Sequence, residues 1–459
     1  MIQLSQACQV VDGVLRGADV LFHNVSINTR DVCEGRLFVA LKGEQFDAHD
    51  YVAQAATAGA VALLVEQDVS SVLPVVKVDS THQALKDLAA WWRTQLVLPV
   101  IGITGSVGKT TVKEMAGAIF SQLGQGVVTH GNLNNEIGVP LTLMRLSEND
   151  RFAIVEMGMN HAGEIQRLTQ VAQPTIALIT NAGEAHLEHL GSVAAVAKAK
   201  GEIFAGLTPD GTAVINADDA FASEWQQSTA GRRVVSFGLT NAADITATYR
   251  QHRGALEIQI STPDATFEIR LKALGEHSVR NALAATALAI AANVPIDYIQ
   301  RGLAEYRSPA GRLQVSQIGE NTLIDDTYNA NPTSMAAAVE VLAGFAQSTL
   351  IVGDMAELGE HAESAHRQLG VLARANGIDK VLACGRYAEL VVNEFGADGH
   401  CFVTQAELIE FVLSAPLSGA ILVKGSRSAA MENVVRALGQ YFDGSQTSNN
   451  TKKHGEGAC

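Results

Sequence analysis

The sequence predicts an α/β protein of three domains: a small mixed α/β N-terminal domain, a central phosphate-loop domain on a parallel sheet, and a C-terminal doubly wound α/β domain. Three observations predict it. The chain has 459 residues, too many for one hydrophobic core. Two long stretches alternate short apolar runs with helical patterns, the mark of a parallel sheet covered on both faces. One of those runs enters a glycine-rich turn that ends in Lys-Thr and opens a helix.

The first domain, 1–80, mixes short strands at 36–41, 61–65 and 75–78 with one helical run at 51–57. The central domain, 81–310, opens with a helix at 82–95. Apolar strands at 100–103, 152–155, 176–180 and 213–215 follow, with helical patterns between them. From 244 to 271 the period changes to two, which predicts an antiparallel patch, and a helix at 279–292 closes the domain. The third domain, 311–459, alternates again, with strands at 322–324, 349–352, 380–384 and 421–423. Its tail, 444–459, is rich in Ser, Asn, Gly and Lys and reads as a disordered end.

Composition removes whole classes of function. Hydrophobic residues make up 47% and charged residues 18%, which suits a folded chain. A net charge of −15 argues against a nucleic-acid binder, which needs a basic face to displace counterions. It leaves room for a local phosphate site built from backbone amides. The five cysteines are widely spaced and form no metal pattern, so reduced thiols are expected. No signal peptide and no apolar run of membrane-spanning length is visible, so a cytoplasmic protein is expected.

The turn at 101–111 reads Ile-Gly-Ile-Thr-Gly-Ser-Val-Gly-Lys-Thr-Thr. Glycines there let the backbone approach phosphates, and the helix N-terminus adds positive partial charge. Lys109 would reach the β- and γ-phosphates, and Thr110 would ligate Mg²⁺. The spacing departs from strict G-x4-G-K-[ST], since position 103 is Ile. Alone, the motif says that the chain binds a nucleoside triphosphate.

Glu156 ends the apolar run at 152–155, where a phosphate-loop sheet can present a metal-holding carboxylate. Taken by itself it reads better as a solvated strand-end charge. His186 follows the next strand and could face a metal or phosphate, although a lone histidine there is more often a polar loop residue. Lys200 shares a helical face with Val193, Val196, Ile203, Phe204 and Leu207, while Lys198 points away. A desolvated lysine has a lowered pKa, and its neutral amine can take up carbon dioxide as a metal-binding carbamate. Spacing alone favours a lysine that snorkels past apolar neighbours.

Together and in this order, these pieces resemble the Mur ligase family over nearly the whole chain. The loop Thr104, Gly105, Ser106, Val107, Gly108, Lys109, Thr110, Thr111 is similar to that family's T-G-x-x-G-K-T signature. The stretch 130–140, with Asn134 and Asn135, resembles its N-x-N-N-E-x-G-x-P segment. Stretches 181–186 and 199–204 match its histidine and carbamylated-lysine positions, which raises Lys200 above the bland reading. Stretch 275–284 resembles the segment whose asparagine, Asn281 here, lies against adenine, and 310–313 matches the arginine that opens the third domain, Arg312. Four stretches, 35–50, 156–164, 326–332 and 352–359, resemble the member that joins D-alanyl-D-alanine to a UDP-muramoyl tripeptide.

That resemblance implies ATP and Mg²⁺ as cofactors, with a carbamate on Lys200. It implies Lys109, Glu156, His186 and Lys200 as catalytic residues. Thr110 and Glu156 would hold one metal ion, His186 and carbamylated Lys200 a second. Adenine would lie between Asn281 and the segment Tyr328 to Asn331, with Arg312 near the phosphates. Ser26, Arg30, Lys42, Gly43, Phe46 and Asp47 would hold the UDP-muramoyl end. Asn134, Asn135, Lys424 and Arg427 would face the peptide substrates. The partners implied are small molecules, with no nucleic acid and no membrane insertion, and a monomer is expected. Ser106, Ser278 and Thr327 depart from the commoner family residues and affect local contacts only.

Rival readings are the ligase that adds the third peptide residue, a folylpolyglutamate synthetase, and a nucleotide switch that makes no product. The first usually carries Asp-Asn-Pro-Arg in its last domain, which is missing here, and the second lacks Asn-Ala-Asn-Pro. A switch would not need a second α/β domain with a Lys-Gly-Ser-Arg turn at 424–427.

Overall fold

The computed structural model describes residues 1–31, 33–229, 231–252, 255–414 and 417–441. The tail at 444–459 lies outside the described residues.

Strand Val100–Thr104 is buried along its whole length and sits inside a six-stranded sheet, between Ala153–Glu156 and Ile176–Ile179. Beyond Ile176–Ile179 come Thr212–Asn216 and Arg233–Phe237, and beyond Ala153–Glu156 comes Val127–Val128, all parallel. A strand covered on both faces can carry continuous apolar side chains, which is why these runs read as Val, Ile, Leu and Ala. The register sets Glu156 beside Ile103 and Ile179 beside Thr104, so three chain turns leave the sheet at one edge. The strand order reverses at Val100–Thr104, the place where ligands bind in open α/β sheets.

The predicted antiparallel patch is a three-stranded sheet, Thr246–His252, Ala255–Ser261 and Thr266–Leu271. The last strand alternates exposed and buried residues along its length, as period two requires. Helix Glu276–Ala291 packs its Ala- and Leu-rich face onto the central sheet and the loop helix Lys109–Phe120.

The third domain carries a second six-stranded sheet, in the order Gln314–Ile318, Asn321–Asp326, Ala420–Lys424, Ser348–Gly353, Lys380–Cys384 and Gly399–Phe402. Its first pair is antiparallel and the rest are parallel. Asp326 and Lys424 are register partners at the ends of adjacent strands. The first domain holds a five-stranded sheet that runs from Val14–Arg16 to Val25–Ser26.

Several elements escaped the sequence reading. Helix Leu4–Val10 and the strands Val14–Arg16, Leu21–Phe22 and Val25–Ser26 are short, and a two- or three-residue strand shows no period. The helical face through Lys200 is also not one helix: Val193–Gly201 is followed by a tighter turn, Glu202–Gly206, and Val193 is only partly buried. The described cysteines, Cys8, Cys33, Cys384 and Cys401, are free thiols. No described helix is long and apolar enough to cross a membrane.

Candidate active site

A cavity of about 950 Å³ opens at the edge where the central strands end, and the third domain forms its far wall. The loop from 104 to 111 forms its floor. Thr104 is fully buried and its hydroxyl donates to Met157 O at 2.9 Å, which ties the loop strand to its neighbour. Gly105 has φ +154°, and a Cβ there would stand 1.8 Å from Thr180 Oγ1. Ser106 Oγ accepts from Gly183 N at 2.9 Å, and Val107 N donates to Asn181 Oδ1 at 3.0 Å. Thr104 and Gly105 therefore shape the loop from behind, while Ser106, Val107, Gly108, Lys109, Thr110 and Thr111 line the cavity.

Helix Lys109–Phe120 starts at the cavity with Gly108 in a left-handed conformation and no side-chain cap. Its first amides are left for an anion, and the helix dipole adds to that attraction. Lys109 Nζ donates to Gly105 O at 2.6 Å, so the amine stays folded over the loop. Burial lowers the Lys109 pKa, Glu156 opposes that, Arg312 lowers it further, and Glu357 opposes again.

Glu156 is 2% exposed. Its Oε2 accepts from Thr110 Oγ1 at 2.9 Å and its Oε1 from Asn134 Nδ2 at 2.9 Å. Lys113, a buried lysine that the sequence reading missed, lies 3.8 Å from Glu156 Oε2 and donates to Thr129 O at 2.8 Å. A hydroxyl and a carboxylate in contact at a phosphate loop are hard oxygen donors that fit Mg²⁺. Among the described residues no three His, Cys, Asp or Glu side chains gather as a ready ligand set. Mg²⁺ commonly takes one or two carboxylates and fills its shell with phosphate and water.

Lys200 is 1% exposed and does not itself line the cavity. Burial, with the Lys109 charge adding to it, holds its pKa well below the usual lysine value. Its helix is fixed by Ser192, which caps the N-terminus by accepting from Ala195 N, and by Trp225 Nε1, which donates to Ala197 O at 3.0 Å. Lys198 is exposed, as the helical face predicts.

His186 caps a short helix in a left-handed conformation, φ +57°. Its Nδ1 lies 3.0 Å from Glu357 Oε2 of the third domain. The approach is too oblique for a hydrogen bond and leaves that buried nitrogen unsatisfied. The Glu357 carboxyl is held below its ordinary range by His186 first, and by His189 and Lys109 at longer range.

The rest of the cavity wall is assembled from two domains. Asn281 faces Gly108 so closely that a Cβ on that glycine would lie 2.5 Å from its Oδ1. Across the cavity, Arg312 stacks over the Tyr328 ring at 4.0 Å, and Asn331 caps helix Pro332–Ala343 in a capping box with Ser334. Lys424 Nζ donates to Asp326 Oδ2 at 2.6 Å and to Asn329 O at 2.8 Å. Burial nevertheless raises the Asp326 pKa. His277, also missed, is pushed down to about 4 by burial and by Lys424.

Asn281, Arg312, Tyr328, Asn331, Asn134, Asn135, Glu156, His186 and Lys424 all line the cavity. Asn135 is turned to structure, since its Oδ1 accepts from Gly138 N at 2.9 Å. Arg427 is not on the wall and pairs with Glu432 at 2.9 Å. The first-domain candidates form a separate group. Lys42 Nζ lies 3.8 Å from Asp47 Oδ2, Gly43 N donates to Phe46 O, and Phe46 stacks on Tyr51 with ring centres 4.9 Å apart. Ser26 Oγ donates to Asn28 O, and Arg30 N donates to Asn28 Oδ1. Glu357, Asp326 and His277 lie in stretches that carried the family resemblance, but the sequence reading assigned them no role of their own, because their placement at the cavity depends on how the third domain meets the second.

Family descriptions match three segments: the Mur ligase family catalytic domain over 21–93, the Mur ligase middle domain over 103–289, and the Mur ligase glutamate ligase domain over 311–427. The chain is 46% identical over 447 residues to the UDP-N-acetylmuramoyl-tripeptide--D-alanyl-D-alanine ligase of Escherichia coli, covering 95% of this chain and 98% of that one. A crystal structure of MurF from Acinetobacter baumannii superposes with a TM-score of 0.89 at 36% identity, over 95% of this chain and 98% of that chain. The MurF ligase from Thermotoga maritima in complex with ADP gives 0.82 at 26% identity, over 93% and 99%.

Proposed function

The chain belongs to the Mur ligase family, and from that membership and the geometry of the cavity we infer its reaction and the residues that perform it. It is an ATP-dependent ligase. It joins the terminal carboxylate of UDP-N-acetylmuramoyl-tripeptide to D-alanyl-D-alanine and releases ADP, phosphate and the UDP-muramoyl-pentapeptide, a peptidoglycan precursor. The observation that carries this reading is one cavity walled by a phosphate loop on one side and a second α/β domain on the other, in a chain alike over 95% of its length to an enzyme of that name.

A free carboxylate is a poor acyl donor. The γ-phosphoryl group passes from ATP to the tripeptide carboxylate, and the dipeptide amine then adds to the acyl carbon. The tetrahedral intermediate collapses with loss of phosphate. Phosphoryl transfer is mainly positioning and charge neutralisation. Lys109 swings from Gly105 O to the γ-phosphate, and the first amides of helix Lys109–Phe120 hold the β-phosphate. Thr110 and Glu156 would hold Mg²⁺, which neutralises the phosphate oxygens when bound. Asn281 and the Tyr328–Asn331 segment flank adenine, and Arg312 approaches the phosphates. Ser26, Arg30, Lys42, Gly43, Phe46 and Asp47 take the UDP-muramoyl end, and Lys424 lies on the acyl side.

Lys200 is carbamylated in this reading. Its low pKa supports the step, because a neutral amine adds carbon dioxide and releases a proton to leave an anionic carbamate. With His186 it would hold a second Mg²⁺. The enzyme acts as a cytoplasmic monomer, where ATP is at hand.

Phosphate release from ATP tests the function. Release should require the UDP-muramoyl tripeptide and D-alanyl-D-alanine together. Release with glutamate and a folate, or without any acceptor, would overturn the assignment.

A further inference from the structure

The dipeptide arrives as a cation, since an α-amino group has a pKa of about 8. It must approach an acyl phosphate held beside Lys109. Two cations face the cavity there, Lys109 and Arg312. An ammonium group entering there needs a carboxylate.

Most carboxylates on the wall are already engaged. Glu156 is taken by Thr110 and Asn134, and Asp326 by Lys424. Asp218 is taken by Arg280 and the amides of residues 239–241, and Asp219 by the amides of Ala182 and Phe221. Glu136 holds Lys86 and Arg167, and Glu164 accepts from Asn160 N.

Glu357 differs. It projects from the third domain, its side chain is 53% exposed, and its close contact is the oblique one with His186. Its φ is +61°, a strained conformation that a glutamate keeps only where its surroundings enforce it. Its carboxylate lines the same cavity as the loop residues Lys109 and Thr110, and it is the more exposed partner in the contact with His186.

We propose that Glu357 receives the ammonium group of the incoming dipeptide, an inference that rests on the reaction assigned above. It is a binding and specificity residue for the amine substrate.

The test is steady-state phosphate release with ATP and the UDP-muramoyl tripeptide over a range of D-alanyl-D-alanine, for wild type, Glu357→Gln and Glu357→Asp. Propionyl-D-alanine, which lacks the amine, serves as a competing ligand, and ADP binding reports folding. Loss of a charge-assisted hydrogen bond should raise the dipeptide KM of Glu357→Gln by about tenfold to a hundredfold. Glu357→Asp should fall between the two. ADP should still bind, which shows that the fold is intact, and the inhibition constant of propionyl-D-alanine should stay at its wild-type value. A dipeptide KM within twofold of wild type in Glu357→Gln would overturn the inference while wild-type turnover keeps the reaction intact. An equal loss for dipeptide and propionyl-D-alanine would overturn it as well. A wild-type enzyme idle with the dipeptide would overturn both.

Discussion

Lys109 lines the cavity and Lys200 is buried within range of its charge, and their neighbours separate their roles. Burial lowers the Lys109 pKa, and the Glu156 and Glu357 carboxylates oppose that shift, as suits a phosphate ligand. For Lys200 burial and the Lys109 charge act in the same direction, toward the neutral amine. A neutral amine is what carbamate formation consumes, so the two lysines are not interchangeable. Lys200→Ala should lower kcat at least a hundredfold with ADP affinity within threefold of wild type, and a short carboxylic acid such as acetate should restore part of the rate by filling the space left by the carbamate. Full turnover by Lys200→Ala without an additive would remove the carbamate from the mechanism.

The phosphate loop works as an element because its glycines meet side chains from other elements. Gly108 has φ +87°, and a Cβ there would strike Asn281 Oδ1, which belongs to helix Glu276–Ala291. Gly108→Ala combines a left-handed penalty of about 1–2 kcal/mol with that clash. ADP affinity should fall about tenfold or more, read by titration calorimetry, while the melting temperature drops by only a few degrees. Adding Asn281→Ala should not restore ADP binding, because the backbone penalty remains and a nucleotide contact is lost. At this scale the sequence was informative wherever a strand was buried on both faces. The strands at 100, 152, 176 and 213 appear within one or two residues of their predicted ends, because continuous apolar runs bounded by turns mark them. The short strands of the first domain carried no such period. Glu156 was indistinguishable in sequence from a solvated strand end, and the register beside Ile103 is what brings it under Thr110. Lys113 and Glu357 stayed hidden for the same reason: one is buried by tertiary packing and the other is placed by a neighbouring domain.

Across the whole molecule, recognition divides by domain. The cavity wall joins the central and third domains: Arg312 stacks on Tyr328, Glu357 meets His186, and a Cβ on Gly183 would lie 2.9 Å from Thr333 Oγ1. None of the candidate UDP-muramoyl residues of the first domain lines that cavity. They sit on their own turns, where Lys42 faces Asp47 and Phe46 stacks on Tyr51. A ligand that bridges both regions should therefore lose affinity in separable parts. Arg312→Ala should weaken ADP binding and lower kcat/KM for ATP by about tenfold to a hundredfold, the range for losing a charge-assisted contact to phosphate. Its affinity for the UDP-muramoyl tripeptide should stay within twofold of wild type. Lys42→Ala should do the reverse, raising the tripeptide KM and leaving ADP binding alone. Sites with no shared partner should be additive, so the double variant should show the product of the two single effects. If Lys42→Ala changed ADP binding as much as tripeptide binding, the first domain would have to move with the nucleotide, and the two sites would be coupled through domain closure.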